Sequence, residues 1–343
     1  MRILIVSDAW APQVNGVVRT YQNIIRELEN MGHTVKVIGP ADFNTFALPT
    51  YKEIRLSILP DFKLKRLIED FKPEAIHIPV EGPLGWAARR YCLRRNIRYT
   101  TSYHTHFPDY VAKRVSPLGR HAQEIARRLM IWHIRRFHAP AKATFVATQS
   151  LEGELRAWGF KNRMVRLLRG ADFTVFHPGA KKEFANLPKP ILLYVGRISV
   201  EKNIEAFLDL DVSGTKVLVG HGPAEDDLKS RYPNVVFAGI KTGADLGAYY
   251  RSADIFVFPS KTDTFGMVLI EALASGLPIA AYRATGPIDI VTEDLLGAID
   301  DNLHVAIQKA LRTPGDAQAR FEYTQAHYSW PAVANVFLET QKS

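Results

Sequence analysis

Residues 255–278 contain the side chains whose types and spacing are best suited to binding a polar ligand. The stretch predicts a strand over 255–258, a polar loop, and a helix that starts near Phe265. Asp263 precedes the first turn of that helix, and Glu271 lies inside it. Backbone N–H groups at a helix start carry partial positive charge and suit anions or sugar hydroxyls. Carboxylates on either side of such a turn can bind two parts of one polar ligand.

A pair of cations, Arg197 and Lys202, follows another predicted strand. Two cations at a strand end can converge on one diphosphate, because both donate charged hydrogen bonds to phosphate oxygens. Glu271 could accept two hydrogen bonds from the hydroxyls of a ribose. Simpler alternatives stay open at this point: Asp263 or Thr264 caps a helix, Glu271 faces water, and the two cations are only surface charges.

Both halves of the chain alternate short apolar runs with helical stretches, which is typical of parallel-sheet α/β proteins. A polar stretch over 179–189 separates the halves. We therefore expect a first Rossmann-like domain over 1–178 and a second over 189–327. We expect the C-terminal helix over 328–343 to pack back on the first domain. The first strand is not followed by G-x-G-x-x-G, which excludes the dinucleotide fingerprint.

Two features of the first half lie at the carboxyl ends of predicted strands, where open α/β sheets bind ligands. Asn15 and Gly16 could bring the backbone close to a phosphate, although a glycine in a tight turn is the commoner explanation. His104 and His106 follow a strand, and alternate positions there point to opposite sides, so we do not expect a shared metal ion. A buried, hydrogen-bonded histidine is the simpler alternative for either residue.

The charge of the chain is distributed unevenly. Residues 1–170 contain 28 Lys/Arg and 14 Asp/Glu, a net charge of +14, whereas residues 171–343 carry a net charge of −5. A basic first half predicts an anionic partner. The sequence has no zinc finger, basic zipper or aromatic RNP-type strand, so we expect no nucleic-acid partner and favour an anionic lipid surface over a merely solvated one.

A basic, aromatic-rich segment over 113–137 is the part of the first half that best fits a membrane surface. Its arginines alternate with large apolar residues, a composition that suits a lipid headgroup layer. The residues that we expect at the membrane are Arg120, Arg127, Arg128, Trp132, Arg135 and Arg136, with Lys113 and Arg114 preceding them.

Cys92 is the only cysteine, which excludes an internal disulfide and fits a reducing compartment. The chain starts in a strand without a signal-peptide pattern and contains no apolar run long enough to span a bilayer. We therefore expect a cytoplasmic protein associated peripherally with the inner face of the plasma membrane.

The acid pair and its neighbours resemble the signature of retaining family-4 glycosyltransferases. The family places seven residues between a first acid and a second Glu, with Thr-Phe-Gly after the first and Glu-Ala at the second. The usual first acid is Glu, but this chain has Asp263, which is one methylene shorter. The resemblance implies the GT-B fold of two facing Rossmann-like domains with a deep interdomain cleft. It also implies retention of anomeric configuration, no cofactor and no required metal ion.

The resemblance also implies a role for each matching residue. Those roles are as follows: Gly16 approaches the donor phosphate, His104 lies near the transferred sugar, Arg197 and Lys202 bind the diphosphate, Asp263 lies by the sugar hydroxyls, Phe265, Gly266 and Met267 offer N–H groups to the sugar, and Glu271 binds the ribose. No carboxylate is an evident nucleophile, so we expect same-face attack, with the departing phosphate taking the acceptor's proton.

Residues 101–108 and 263–266 resemble the branch of the family that glycosylates diacylglycerol and related lipids. This resemblance implies transfer of a sugar from a nucleoside-diphosphate sugar, with UDP favoured, to a membrane lipid. A GDP-mannose-dependent mannosyltransferase is the alternative within the family. Outside it stand a non-catalytic nucleotide-sugar binding protein and a GT-B phosphorylase or sugar-nucleotide epimerase.

Overall fold

The computed structural model of the chain describes residues 1–11, 13, 15–48, 51–104, 119–263, 265–312 and 316–342. His106, Lys113, Arg114 and Thr264 lie outside the described residues. The chain divides into two compact units: unit 1 comprises Met1–Leu168 and the segment from Trp330 onward, and unit 2 comprises Arg169–Ser329. The boundary after Leu168 therefore lies before the polar stretch over 179–189.

The elements of the first part of the chain are β1 (Arg2–Val6), α1 (Gly16–Asn30), β2 (Thr34–Ile38), β3 (Thr45–Leu48), β4 (Tyr51–Ser57), α2 (Asp61–Phe71), β5 (Ala75–Ile78), α3 (Pro83–Arg94), β6 (Thr100–Ser102), α4 (Arg120–His138), β7 (Ala143–Val146), α5 (Gln149–Ala157) and β8 (Met164–Arg166). They are followed by β9 (Ile191–Val195), α6 (Glu205–Leu208), β10 (Thr215–Val219), α7 (Glu225–Arg231), β11 (Val236–Phe237), α8 (Gly243–Ser252), β12 (Ile255–Phe258), α9 (Met267–Ala274), β13 (Ile279–Tyr282), α10 (Pro287–Ile290), β14 (Gly297–Asp300), α11 (Leu303–Ala310), α12 (Ala317–His327) and α13 (Trp330–Lys342).

Unit 1 is built on a six-stranded parallel sheet in the order β2-β1-β5-β6-β7-β8. Its central strands are apolar runs covered on both faces, and the last four residues of β1 are fully buried. The strand order reverses between β1 and β5, so the loops that follow these strands lie at the position where such sheets bind ligands.

Helix α13 returns the end of the chain to unit 1, where it packs against α1. The ring of Phe337 stacks on Phe145 and meets the rings of Tyr21 and His77 edge-on. The C-terminal helix therefore covers a buried aromatic and polar cluster beside the sheet of unit 1.

Unit 2 repeats the plan with a parallel sheet in the order β11-β10-β9-β12-β13-β14. Strand β9 is buried along its whole length. Here the order reverses between β9 and β12, so the loops that begin at Gly196 and Pro259 lie at the ligand-binding edge. The predicted fold class, two parallel-sheet α/β domains, is confirmed.

Three elements differ from the sequence prediction. Strand β4 pairs antiparallel with β3, so the two form a separate hairpin outside the parallel sheet rather than one of its strands. Strand β14, which pairs with β13, was not predicted because its short sequence mixes apolar residues with Gly and Asp. Helix α6 is only a single turn, and Asn203, in a left-handed conformation, separates it from the 3₁₀ turn before it.

Candidate functional site

The loop after β9, which contains both predicted diphosphate-binding cations, is fixed by backbone contacts with the loop after β10. Ile198 N–H donates to the His221 carbonyl at 3.1 Å, and the Ile198 carbonyl accepts from Ala224 N–H at 3.1 Å. A side chain on Gly220 or Gly222 would overlap the backbone of the β9 loop. The two loops therefore touch main chain to main chain, and their peptide groups are held in place.

Arg197 and Lys202 occupy different parts of this loop. Arg197 is exposed, and its carbonyl accepts a hydrogen bond from the hydroxyl of the buried Tyr194 at 2.9 Å. Lys202 ends a 3₁₀ turn that Asn203 closes with a φ of 54°. The Asn203 amide donates to the Pro259 carbonyl at 3.1 Å, so the loop after β9 is attached to the loop after β12.

The structure brings Lys202 and Asp263 into direct contact. Lys202 Nζ lies 2.6 Å from Asp263 Oδ1, and the two side chains are only 25% and 22% exposed. The other carboxylate oxygen of Asp263 is buried and has no hydrogen-bond partner among the described residues. Asp263 thus orients the lysine ammonium with one oxygen.

Glu271 is buried inside α9, whose residues from Leu269 to Ala274 are all buried. Its Oε2 accepts a hydrogen bond from the buried Tyr250 hydroxyl at 3.0 Å. The alternative in which Glu271 faces water is therefore wrong, because Glu271 is only 7% exposed and its neighbours on both sides in the helix are buried. A carboxylate buried in this way needs hydrogen-bond donors, and the Tyr250 hydroxyl is one of them.

The helix start is formed by glycine rather than by a capping acid. Gly266, with a φ of 83°, is the N-cap of α9, and among the described residues no helix N–H donates to Asp263. The alternative in which Asp263 caps this helix is therefore wrong. Phe265 is buried between the Arg169 guanidinium and the Tyr328 ring, at 5.8 and 6.3 Å. The main chain at the start of α9 is therefore that of Phe265, Gly266 and Met267. Backbone N–H groups at such a helix start suit an anion or a sugar hydroxyl.

Gly16 begins α1, which Asn15 caps by accepting from Val17 and Val18 N–H at 3.0 Å. A side chain at Gly16 would meet no other atom of the described chain within 4 Å. The glycine is therefore not required by packing inside unit 1. Space beside its backbone stays open to a ligand.

His104 follows β6 and is half-buried. Its Nε2 lies 3.3 Å from the hydroxyl of Tyr21, which comes from α1. That hydroxyl also contacts His77 Nε2 at 2.7 Å and Ser102 Oγ at 2.6 Å. Tyr21, His77 and Ser102 were not predicted as neighbours of His104. They come from α1, β5 and β6, and their contacts depend on how these elements are arranged around the sheet. The only available signal was polar residues inside apolar strands.

The predicted membrane segment forms α4, and its outward face is both apolar and basic. Ile125, Leu129 and Trp132 are 60%, 61% and 56% exposed and lie along one stripe of the helix. The Arg136 guanidinium lies over the Trp132 ring at 5.4 Å. We call these four residues with Arg128 the α4 stripe.

The other predicted membrane residues of α4 are placed differently. Arg120 is exposed at the first turn, and Arg135 packs beside Gly159. Arg127 lies over the Trp158 ring at 5.7 Å and is half-buried, so it belongs to the inner side of the helix. None of the helices in the described ranges is both long and apolar enough to cross a membrane.

Sequence comparison places nearly the whole chain within known families. The family model described as Glycosyltransferase Family 4 matches residues 14–188, and the model described as Glycosyl transferases group 1 matches residues 189–313. The solved structure of sucrose-phosphate synthase from Thermosynechococcus elongatus matches with a TM-score of 0.75. The match covers 99% of this chain and 98% of that one at 22% identity, which shows the GT-B fold.

Three characterised proteins illustrate the range of relatives. Sulfoquinovosyl transferase SQD2 of Arabidopsis thaliana is 31% identical over 83% of this chain, which spans 60% of that protein's length. A GDP-mannose-dependent alpha-mannosyltransferase of Mycobacterium tuberculosis is 29% identical over 98% of this chain and 95% of its own. An alpha-monoglucosyldiacylglycerol synthase of Streptococcus pneumoniae is 27% identical over 91% of this chain and 78% of its own. Because the first family model alone covers half of the sequence, the chain belongs to glycosyltransferase family 4.

Proposed function

We propose that this glycosyltransferase moves a hexosyl group from a UDP-sugar to a hydroxyl of a membrane lipid such as diacylglycerol, with retention of configuration and without a metal ion. The observation that carries the proposal is the Lys202–Asp263 pair at the ligand-binding edge of unit 2. The likeness to a protein named as a glucosyldiacylglycerol synthase supports the lipid acceptor.

Unit 2 supplies the proposed donor site. Arg197 and Lys202 bind the diphosphate and stabilise its charge as the glycosyl–phosphate bond breaks, which is the role that Mg²⁺ has in other enzymes. Asp263 holds the ammonium of Lys202 in place and lies by the hydroxyls of the transferred sugar. Glu271, held by Tyr250, accepts hydrogen bonds from the ribose.

The proposed reaction exchanges one bond at the anomeric carbon for another on the same face. The bond from this carbon to the diphosphate oxygen breaks, and the electron pair leaves with the diphosphate. The acceptor oxygen then bonds to the carbon, and its proton moves to the departing phosphate oxygen. In unit 1, Gly16 approaches the donor phosphate, and His104 positions the sugar.

The proposed acceptor requires access to a lipid surface, and the α4 stripe supports it. Exposed apolar side chains beside arginines fit the boundary between headgroups and acyl chains, and the basic first half attracts an anionic leaflet. We therefore propose peripheral docking on the inner face of the plasma membrane through α4. The donor domain corresponds to unit 2 and the acceptor domain to unit 1.

The donor is tested by thermal denaturation with UDP, GDP, ADP and CMP. A ligand at 100 times its dissociation constant adds ~2.7 kcal/mol to stability, so the matching nucleotide should raise the melting temperature. A shift with GDP alone would instead favour the GDP-mannose alternative, which the mycobacterial relative supports. With no shift for any nucleotide, the transferase proposal would fail.

The reaction is tested with the matching nucleotide sugar and diacylglycerol in vesicles that contain phosphatidylglycerol. We expect an α-linked glycolipid from an α-linked donor, and the same rate after treatment with EDTA. Inverted product or loss of activity with EDTA would contradict the proposed mechanism.

Membrane docking is tested by vesicle sedimentation of the Leu129→Ser variant. The matched control is Val336→Ser on α13, which changes another exposed apolar residue of unit 1. We expect weaker sedimentation for Leu129→Ser only, whereas equal sedimentation of all three proteins would exclude α4 as the docking helix.

A further inference from the structure

The segment that joins β4 to α2 exposes large apolar side chains to water. Leu59 is 89% exposed and Phe62 is 86% exposed, more than any apolar residue of the α4 stripe. Ile58, next to Leu59, is 48% exposed. Single apolar residues are ordinary on protein surfaces, whereas a group of them marks an interaction surface. We call Ile58, Leu59 and Phe62 the apolar tip.

The backbone holds Leu59 in a conformation that leucine does not prefer. Its φ is 45°, in the left-handed region where a Cβ atom crowds the following carbonyl and glycine is the usual residue. The segment is anchored just before this point, because Ile58 N–H donates to the Asn44 carbonyl at 2.9 Å. A leucine that is strained and yet not buried in unit 1 suits a contact made outside the chain.

The acid of this segment is already paired with α3. Asp61 accepts two hydrogen bonds from the Arg90 guanidinium, from Nε to Oδ1 at 2.9 Å and from Nη2 to Oδ2 at 2.7 Å. These bonds hold the pKa of Asp61 below its ordinary value and fix the first turn of α2 on α3. Residues 55–66 contain this one acid and four cations, a net charge of +3: Arg55, Lys63, Lys65 and Arg66.

The apolar tip and the α4 stripe belong to helices on the same side of the unit 1 sheet. One buried cluster contains Leu64 and Ile68 of α2, Leu84 and Cys92 of α3, and Phe137 of α4. The crossovers through α3 and α4 run along the sheet in the direction opposite to the crossover through α1. Right-handed connections therefore place α1, and α13 packed on it, on the other side. A partner that covers the α2–α4 side can contact both features.

We propose that the apolar tip inserts into an anionic membrane as a second docking element of unit 1. Leu59 and Phe62 enter the boundary between headgroups and acyl chains. Lys63, Lys65 and Arg66 stay among the anionic headgroups. A fluid bilayer fits this chemistry, because it accepts two almost fully exposed side chains without offering a complementary pocket. The inference rests on the proposed transfer to a membrane lipid, but vesicle binding can be measured without any reaction.

The test uses Leu59→Gly and Phe62→Ser, with Val336→Ser as the matched control. Val336 is 40% exposed on α13, on the other side of the sheet. Leu59→Gly should be at least as stable as wild-type protein, because glycine adopts a left-handed conformation without strain and the lost side chain is not buried. Melting temperatures check that all three variants fold.

The first readout is sedimentation with vesicles of phosphatidylcholine and phosphatidylglycerol. Removing one large apolar side chain from a bilayer corresponds to ~10-fold in the partition coefficient. We therefore expect ~10-fold weaker binding of Leu59→Gly and Phe62→Ser, and unchanged binding of Val336→Ser. Wild-type protein should bind vesicles of phosphatidylcholine alone more weakly. Equal binding of all four proteins, or equal binding of wild-type protein to neutral and anionic vesicles, would overturn the proposal.

The second readout is a polarity-sensitive dye attached to the tip. Cys92 is the only cysteine and is fully buried, and burial raises the pKa of its thiol to about 12. A thiol-reactive dye should therefore label Phe62→Cys selectively. Its emission should shift to the blue with anionic vesicles, whereas the dye on Val336→Cys should not respond. An unshifted dye at position 62 would show that the tip stays in water and would overturn the proposal.

The remaining outcomes separate this inference from the proposed function. Vesicle binding through the tip in a protein that no nucleotide stabilises would support the inference and refute only the transferase proposal. Weaker sedimentation of Phe62→Ser with normal sedimentation of Leu129→Ser would assign docking to the tip instead of α4. A dimer that forms without vesicles and is abolished by Phe62→Ser would assign the tip to a second copy of the chain and overturn the inference.

Discussion

Replacing Lys202 with methionine should separate its part in catalysis from its part in stability. The change removes the charge but keeps most of the side chain. Lys202 donates to Asp263 at 2.6 Å, and both side chains are about three-quarters buried. If the ammonium stabilises the departing diphosphate, the variant should lose ~100-fold in kcat, the usual cost of removing one such donor.

The same variant should also destabilise unit 2. Asp263 would keep a carboxylate with one oxygen already buried and unpartnered among the described residues, and would lose its charged hydrogen bond. A hydrogen bond to a charged group is worth ~1.5–3 kcal/mol, and partial exposure reduces this to ~1–2 kcal/mol. Adding Asp263→Asn removes the uncompensated charge, so the double variant should recover stability but not activity.

Lys181 provides the matched control, because its Nζ lies 2.6 Å from Asp254 Oδ1 in the same unit but away from the proposed site. Asp254 keeps a second contact there, since its Oδ2 accepts from Ile191 N–H at 2.7 Å. Lys181→Met should therefore leave kcat unchanged. The assays are initial rates at saturating donor and urea denaturation. Wild-type kcat in Lys202→Met, or recovered activity in the double variant, would refute the reasoning.

Three further predictions concern other parts of the two units. Burial raises the pKa of Asp8 to about 6 from its ordinary 3.8, so the folded state binds the proton more tightly than the unfolded state. The proton on Asp8 stabilises the folded state at low pH, so the free energy of unfolding should fall by ~3 kcal/mol as pH rises from about 4 to 6. Urea denaturation at several pH values measures this slope, which Asp8→Asn should lack. Tyr250→Phe should raise KM for the donor ~10-fold with little change in kcat, because it removes the hydrogen bond that orients Oε2 of Glu271; an unchanged KM would contradict this orienting role. Gly220→Ala should lower the free energy of unfolding by ~1–3 kcal/mol, because the new methyl group would overlap the Gly196 carbonyl. It should also abolish the rise in melting temperature that a nucleotide causes; a normal rise would show that the loop adapts.

The sequence predicted the sheets well because their strands are buried on both faces. Runs such as Ile3–Val6 and Ile191–Val195 have few alternatives to a central parallel strand. Strands were predicted less well where the spacing of apolar residues was irregular. The sequence over 51–57 does not show that this strand pairs antiparallel with β3. The strand over 297–300 has too few apolar residues to be recognised.

The candidate site was predicted through residue types, and its pairings were not. Lys202 and Asp263 were predicted to have separate roles, whereas the structure joins them in one ion pair. A solvated Glu271 stayed possible from the sequence, whereas in the structure the residues from Leu269 to Ala274 are all buried. The partners Tyr21 and Tyr250 come from helices distant in sequence, and sequence spacing cannot reveal such contacts.

The backbone construction of unit 2 explains why the donor base was the least predictable feature. Gly286, with a φ of 93°, lies so close to the loop after β12 that a side chain there would come within 2.8 Å of the Phe265 carbonyl oxygen. Together with Gly220 and Gly222, it brings the loops of the ligand-binding edge together through main-chain atoms. If backbone N–H and C=O groups bind the nucleotide base, the residue types cannot reveal which base is bound, because nearly every residue has the same backbone groups. Proteins named for GDP-mannose and for glucosyldiacylglycerol are accordingly similar to this chain over most of its length. Under the proposed donor binding, side chains of unit 2 contact the diphosphate and the ribose, so their residue types predict those two groups and carry no signal for uracil or guanine.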